Sequence, residues 1–385
     1  MYYDLKMENP ETFTQNNSNS LLLFIFMTIC VVFICFGIYK FAINNDFFYT
    51  TSYGSTIGVM DVMDNSFRLI KTLLYSSIYR YYINTNDNPY DIIRKVNNGD
   101  ITFGFIPLNV LYFGYNGIPI NKQQLYTNVE FVANLYEYPI NLLTTDDSMI
   151  TDFDDMKEKI TEQYGATIGL MNRYDHYYLL LDIFECYELD YQNMNIKLVQ
   201  FDNTDDLYQS YNNTCDMIFY PCSHPNMLIA RLIDKVYSHL ISFNNIQCAK
   251  YDIDEHDMDK INKLTTIEND SGINPIIKYG KTHVHEMTIN LKKLRVFYHK
   301  LTLPNNQFFI RTFGTRMILI VNPDVKARYV NDIINRLIKN IDTINDEPYV
   351  KYITPTDLSV NPFPTQTITN RFAVQTYIDN GVYVV

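Results

Sequence analysis

The longest uninterrupted apolar stretch runs from Leu21 to Ile43, LLLFIFMTICVVFICFGIYKFAI, with Lys40 as its only charge. Twenty-three residues of helix span the hydrocarbon core of a bilayer, and Lys40 lies where its ammonium can snorkel to the interface. A soluble helix of that length would show a polar face, and this one has none. The run therefore predicts a transmembrane helix, preceded by a polar tail at 1–20. A cleaved signal peptide is the alternative; the long polar lead and the missing basic n-region favour an uncleaved anchor. Lys6 and Lys40, one on each side, do not set its orientation.

Beyond the anchor the pattern changes to short apolar runs alternating with amphipathic segments. A strand is predicted over 46–53 and a helix within 59–82, so Tyr53 to Gly58 (YGSTIG) reads as a strand-to-helix turn. A helix follows over 90–98, stopped by Gly99, then a strand over 101–106 and a short helix over 111–117. An unusually long extended run covers 129–144. Strands over 166–170, 196–201 and 216–220 alternate with helices over 174–189, 204–212 and 225–236, and 239–243 is extended. Residues 244–281 are polar and irregular. A long apolar strand over 308–321 leads through Asn322-Pro323-Asp324 into an amphipathic helix, and a Pro-rich stretch at 355–364 precedes a last helix over 371–378. Strands and helices alternating in this way predict an α/β protein with mostly parallel sheets, whose ligands bind at the carboxyl ends of the strands.

Charge narrows the partners. The formal charge is −12, of which Asp4, Glu8 and Glu11 against Lys6 and Lys40 account for −1, so the remainder carries −11 and nucleic acid is excluded as a natural partner. Cys30 and Cys35 fall in the apolar run; Cys186, Cys215, Cys222 and Cys248 allow two disulfides or none, and no Cys-x-x-Cys pair occurs. His283-x-His285-Glu286 would put two imidazoles on one face of a strand, but no third ligand stands at motif spacing, so no metal and no cofactor are expected. No nucleophile elbow, phosphate loop or dinucleotide fingerprint is present, and the chain is read as a binding protein rather than an enzyme.

Several stretches, in order, resemble the TAXI-type solute receptors of TRAP transporters, within the type II periplasmic binding proteins. They are Gly54-Ser55-Thr56-Ile57-Gly58, Gly99 to Asn109 with Tyr112 to Gly117, Asn134-Leu135-Tyr136 with Ile140 to Thr144, Asn213 to Tyr220 with His224-Pro225, and Leu303-Pro304-Asn305 with Thr312 to Val321. Departures fall where ligand loops are expected: Ile57 replaces a glycine, and the second lobe's Gly-rich turn is Asn172-Arg173-Tyr174-Asp175.

The resemblance implies a two-lobed type II periplasmic-binding-protein fold after one transmembrane helix. Lobe 1 would be 44–143 and 311–385, lobe 2 would be 144–310, and the hinges would be the runs at 129–144 and 308–321. It implies a small anionic solute, a carboxylate or amino acid, held by Gly54, Ser55, Thr56 and Gly58 from one lobe and Asn172 and Arg173 from the other. Tyr112 and Tyr136 would line the cleft, with Arg311 a further cation. A membrane-protein partner and an extracytoplasmic location for the large domain follow from the same analogy. The lost glycines favour a second reading, a membrane-attached structural or interaction protein that keeps the scaffold without a solute.

Overall fold

A computed structural model of the chain describes residues 55–60, 65–74, 77, 79–86, 88–116, 125–148, 150–161, 165–187, 189, 195–243, 285–303, 308–345, 353–361 and 369–382. All lie in one compact unit, Ser55–Val385. The apolar run at 21–43, the strand expected at 46–53, Gly54, and His283 fall outside them. Among the described residues no helix is long and apolar enough to cross a membrane.

The first half alternates as β1 (Ser55–Val59), α1 (Asn65–Leu74), β2 (Tyr81–Thr85), α2 (Pro89–Asn98), β3 (Phe103–Pro107) and α3 (Leu108–Asn116). Helix α2 shows why: Asn88 caps it by accepting from the Tyr90 N–H, Pro89 opens its first turn, and Gly99, at φ 78°, ends it in the left-handed region. Its Ile92, Ile93 and Val96 are buried against the sheet. The chain continues through β4 (Glu130–Pro139), β5 (Leu142–Thr145), α4 (Phe153–Thr161), β6 (Ala166–Met171), α5 (Tyr174–Cys186), β7 (Ile196–Phe201) and α6 (Thr204–Ser210). Next come β8 (Met217–Phe219), α7 (Met227–Lys235), β9 (Ser238–Leu240), β10 (His285–Asn290), β11 (Phe309–Val321), α8 (Ala327–Lys339) and α9 (Arg371–Asp379).

These strands form two sheets. The first has the order β10-β11-β3-β1-β2, with β4 also paired to β11. Strand β1 is parallel to β2 and β3, whereas β11 is antiparallel to β3, β4 and β10. The second has the order β7-β6-β8-β5-β9, with β6 parallel to both neighbours and β5 antiparallel to both of its own. Every side chain of β3 is buried, the mark of a strand covered on both faces.

One described connection, β4 to β5, passes from one sheet to the other, and β11 of the first sheet runs beside it. Strand β4 ends at Pro139, and two residues later the chain is β5 of the second sheet. Strand β11 begins beside the second sheet, where the Phe243 N–H donates to the Arg311 carbonyl, and ends paired to β3. The Ile140 N–H donates to the Phe313 carbonyl at 2.8 Å, tying the two together. A buried network fixes this crossing. The Asn141 amide donates to the carbonyls of Tyr220 and Cys222, both at 3.1 Å, and its oxygen lies 2.8 Å from His224 Nε2. His224 Nδ1 meets the Tyr298 hydroxyl at 3.0 Å.

The α/β class and the build from two sheets agree with the sequence reading, but local details differ. Residues 55–59 form strand β1, not the turn. The positions from 59 to 82 resolve into a helix that ends at Leu74 and a separate strand, β2. The extended run at 129–144 is two strands broken at Ile140-Asn141, and β10, expected in the second lobe, pairs with the first sheet through β11.

Candidate functional site

The carboxyl end of β6 carries a buried ion pair, Arg173–Asp175. After Met171 the chain turns tightly: the Arg173 N–H donates back to the Met171 carbonyl, and the Asn172 N–H to the Phe201 carbonyl at the end of β7, both at 2.7 Å. The Asn172 side chain donates to Asp202 at 2.7 Å. Helix α5 starts immediately, with the Tyr177 N–H on the Arg173 carbonyl. Arg173 and Asp175 are thereby placed side by side at a helix N-terminus, where a carboxylate is favoured. Arg173 Nε donates to Asp175 Oδ1 at 3.1 Å and Nη2 to Oδ2 at 2.5 Å. Nη2 is also 3.6 Å from Sδ of Met60, the residue after β1 in the other sheet. The Asp175 side chain is fully buried and that of Arg173 is 12% exposed.

Burial opposes both charges, and each is kept by the other. Desolvation alone would push the Asp175 carboxyl up, but the Arg173 guanidinium holds it below its usual value. Desolvation would likewise drain Arg173, yet the Asp175 carboxylate keeps it charged. His176 is pushed down to about 3, first by burial and then by Arg173, so it is neutral. Neither of its ring nitrogens has a hydrogen-bond partner among the described residues, and it stands edge-on to Tyr220 at 5.4 Å. The buried Tyr90 hydroxyl from α2 is also without a partner, and burial, then Asp175, pushes it up and keeps it protonated. Tyr138 of β4 and Tyr220 after β8 lie within electrostatic reach of Arg173. The Asn109 amide, just past β3, is buried with neither its nitrogen nor its oxygen satisfied among the described residues.

The expected ligand set is only partly assembled. Asn172 and Arg173 stand at this site. Ser55 and Thr56 do not, because they begin β1 whereas Met60 follows its end, about 16 Å along an extended strand. Thr56 is tied to Thr102 through backbone and hydroxyl. Gly58 has a packing role: a Cβ there would stand 2.5 Å from Ile101 Cδ1 and 2.9 Å from Ile92 Cγ2. Tyr112 and Tyr136 are core residues, 4% and 2% exposed. Arg311 is exposed on β11, its backbone bonded to Ser242 and Phe243. Sequence reasoning gave Asp175 only as the end of the turn that stands in place of a Gly-rich one, assigned it no role, and missed His176 and Tyr90; the available signal was Arg-x-Asp at a strand-to-helix junction. Cys215 and Cys222 are buried thiols. Among the described residues no three metal-ligating side chains converge.

Residues 79–270 match the NMT1-like family. The NMT1-like stretch takes in β2 through β9 and, with them, Tyr90, Asn109, Tyr138, the Arg173–Asp175 pair, His176 and Tyr220; Met60 precedes it. No curated protein matches the chain. Solved structures similar to it include the ligand-binding component of an ABC-type import system from Staphylococcus aureus, crystallised with zinc (TM-score 0.44, 10% identity, 86% of this chain and 93% of that one). A periplasmic substrate-binding protein of an ABC transporter from Coxiella burnetii has TM-score 0.38 and 11% identity, over 77% of this chain and 97% of its own. A binding protein of an ABC phosphonate transporter from Pseudomonas aeruginosa has TM-score 0.38 and 9% identity, over 74% of each chain.

Proposed function

We propose that this chain is a solute-binding protein rather than an enzyme, held at a membrane by the apolar run at 21–43, with its solute taken between the two sheets at the end of β6. The observation that carries the reading is the buried Arg173–Asp175 pair. It lies at the carboxyl ends of strands, touches Met60 of the other sheet, and has unpartnered Tyr90 within electrostatic reach. The NMT1-like match over this region and the β4–β5 crossing, with β11 beside it, support it. Of the two solute classes expected, the pair favours an amino acid over a plain carboxylate. A zwitterion would give Arg173 a carboxylate and Asp175 an ammonium, replacing both halves of the ion pair. A dicarboxylate would take Arg173 and leave Asp175 buried against a like charge. The narrower TAXI assignment is supported by the stretches at 134–144 and 312–321, which form the crossing and the strand beside it, and not by Gly54–Gly58. An extracytoplasmic location and a membrane-protein partner belong to the same proposal.

A specific set of contacts favours the second reading, a scaffold without solute. Tyr174 packs edge-on against Tyr90 at 5.9 Å and Tyr178 against Phe113 at 5.8 Å, so aromatic rings already join the start of α5 to the first sheet's helices. Thermal unfolding of the full chain with millimolar amino acids and dicarboxylates separates the two. A ligand at a hundred times its dissociation constant stabilises by about 2.7 kcal/mol. A shift with amino acids alone, lost in both Arg173→Ala and Asp175→Asn, supports the proposal; no shift with any compound moves the assignment to the scaffold.

A further inference from the structure

A second surface, outside this site, has a composition opposite to that of the chain. Between Met287 and Arg311 there are five Lys or Arg residues and no Asp or Glu, in a protein of formal charge −12. The segment holds a short helix, Leu291–Leu294, that turns its two leucines inward and its Lys292 and Lys293 outward. Tyr298, buried on His224 and Asn226, pins the segment to the body. Around that anchor Arg295, Val296 and Phe297 are exposed, and so are Phe308 and Phe309.

The exposed apolar side chains are large. Val296 is 69% exposed, Phe309 58%, Phe308 49%, Phe297 41% and the neighbouring Tyr237 61%, half of the large apolar residues found exposed among the described ones. They are also contiguous with the cations. Lys292 Nζ lies 5.9 Å from the Phe308 ring, Lys300 Nζ lies 5.9 Å from the Tyr237 ring, and the Leu291 N–H donates to the Phe308 carbonyl. Leaving so much apolar surface in water is unfavourable, and contiguous patches of this kind mark docking surfaces.

We propose that this face docks on an anionic lipid surface. Lysines and arginines interleaved with insertable phenylalanine and valine, with no carboxylate in the segment itself, match negatively charged headgroups above an acyl boundary; the carboxylates at its border are Asp146, which accepts from the Thr302 hydroxyl, and Asp234, whose carbonyl accepts from Lys300. The rest of the chain carries −17 against the five cations here, so an acidic bilayer would be drawn to this face and repelled by the others.

The test uses the full chain with vesicles of phosphatidylcholine alone or mixed with phosphatidylserine, or with no vesicles. Amine labelling of Lys292, Lys293 and Lys300 is read by mass spectrometry against exposed Lys197 and Lys339. The proposal expects severalfold protection of the three lysines in the phosphatidylserine mixture only, reversed by high salt. Lys292→Gln with Lys293→Gln and Arg295→Gln should weaken retention on that mixture on the order of a hundredfold, and Phe309→Ser with Val296→Ser should also lower it. These side chains are exposed, so circular dichroism should be unchanged. Equal labelling in all conditions overturns the proposal. So does protection without vesicles, which would mean contact between copies, and so does protection in phosphatidylcholine alone.

Discussion

Replacing Arg173 alone should be more damaging than removing its whole ion pair. In Arg173→Leu the Asp175 carboxylate stays fully buried with its counter-charge gone, and breaking a buried pair in this way costs about 3–5 kcal/mol. For the compact unit Ser55–Val385, an unfolding entropy of roughly 0.7 kcal/mol/K converts this to a loss of about 4–7 °C in midpoint. The pH dependence carries the sharper signature. In the native protein the Asp175 pKa lies below its unfolded value, so its stabilisation is present above the ordinary carboxylate range and lost as pH falls through the folded value. With Arg173 gone, burial acts almost alone and lifts that carboxyl above its unfolded value. Stability should then fall as pH rises through the ordinary carboxylate range towards the raised value, a reversal of sign. His176 lies 3.9 Å from the carboxylate, so the series is best made in His176→Phe, where no imidazole can take over. Urea midpoints by circular dichroism from about pH 4 to 8, for the parent, each single Leu variant and the Arg173→Leu/Asp175→Leu double, complete a cycle. The double should recover more than half of the Arg173→Leu loss. A single variant within about 1 kcal/mol of its parent, with an unchanged pH slope, would refute the account of the pair.

Gly58→Ala should destabilise by about 1–3 kcal/mol through overpacking on Ile92 and Ile101, measured by urea unfolding, without creating or removing any solute contact. Asn141→Ala strips the carbonyls of Tyr220 and Cys222 and the His224 ring of their shared partner, and should lower the unfolding free energy by about 3 kcal/mol, measured by urea denaturation. His224 is pushed down to about 4 and His176 to about 3, chiefly by burial, so the unfolded chain takes up protons that the folded one refuses. Stability should therefore decline as pH falls from the ordinary histidine range towards those values, and His176→Phe should flatten that slope in acid denaturation monitored by near-ultraviolet dichroism.

The second sheet was the more legible part of the chain. Its strands and helices come in full-length alternating runs, and the helix read at 174–189 begins at the residue where α5 begins. The first sheet was harder at its start. Tyr81 and Tyr82 continue the apolar spacing of the helix before them, so the start of β2 was absorbed into α1, and Gly58 suggested a turn because glycine serves turns and close packing equally well. What decides between those uses is a neighbour far along the chain, here Ile92 and Ile101. The same distance hid the site: Arg173 was visible as a cation in a turn, but its neutralisation by Asp175 depends on the geometry of the first turn of α5, and Tyr90 approaches from α2, a helix on the other sheet. The His224–Asn141–Tyr298 network joins three segments and leaves no local pattern.

The route of the chain between its two sheets also has a consequence for biosynthesis. Every strand of the second sheet lies between Leu142 and Leu240, whereas β3 of the first waits for β11, with Phe103 paired to Val321 roughly 200 residues later. A chain emerging from the ribosome can complete the later-encoded sheet first, while β3 holds an open edge for about half the length of synthesis. Such long-range closure is slow, and the open edge of an apolar strand of five buried residues is the place where a nascent copy would meet a chaperone, or another nascent copy.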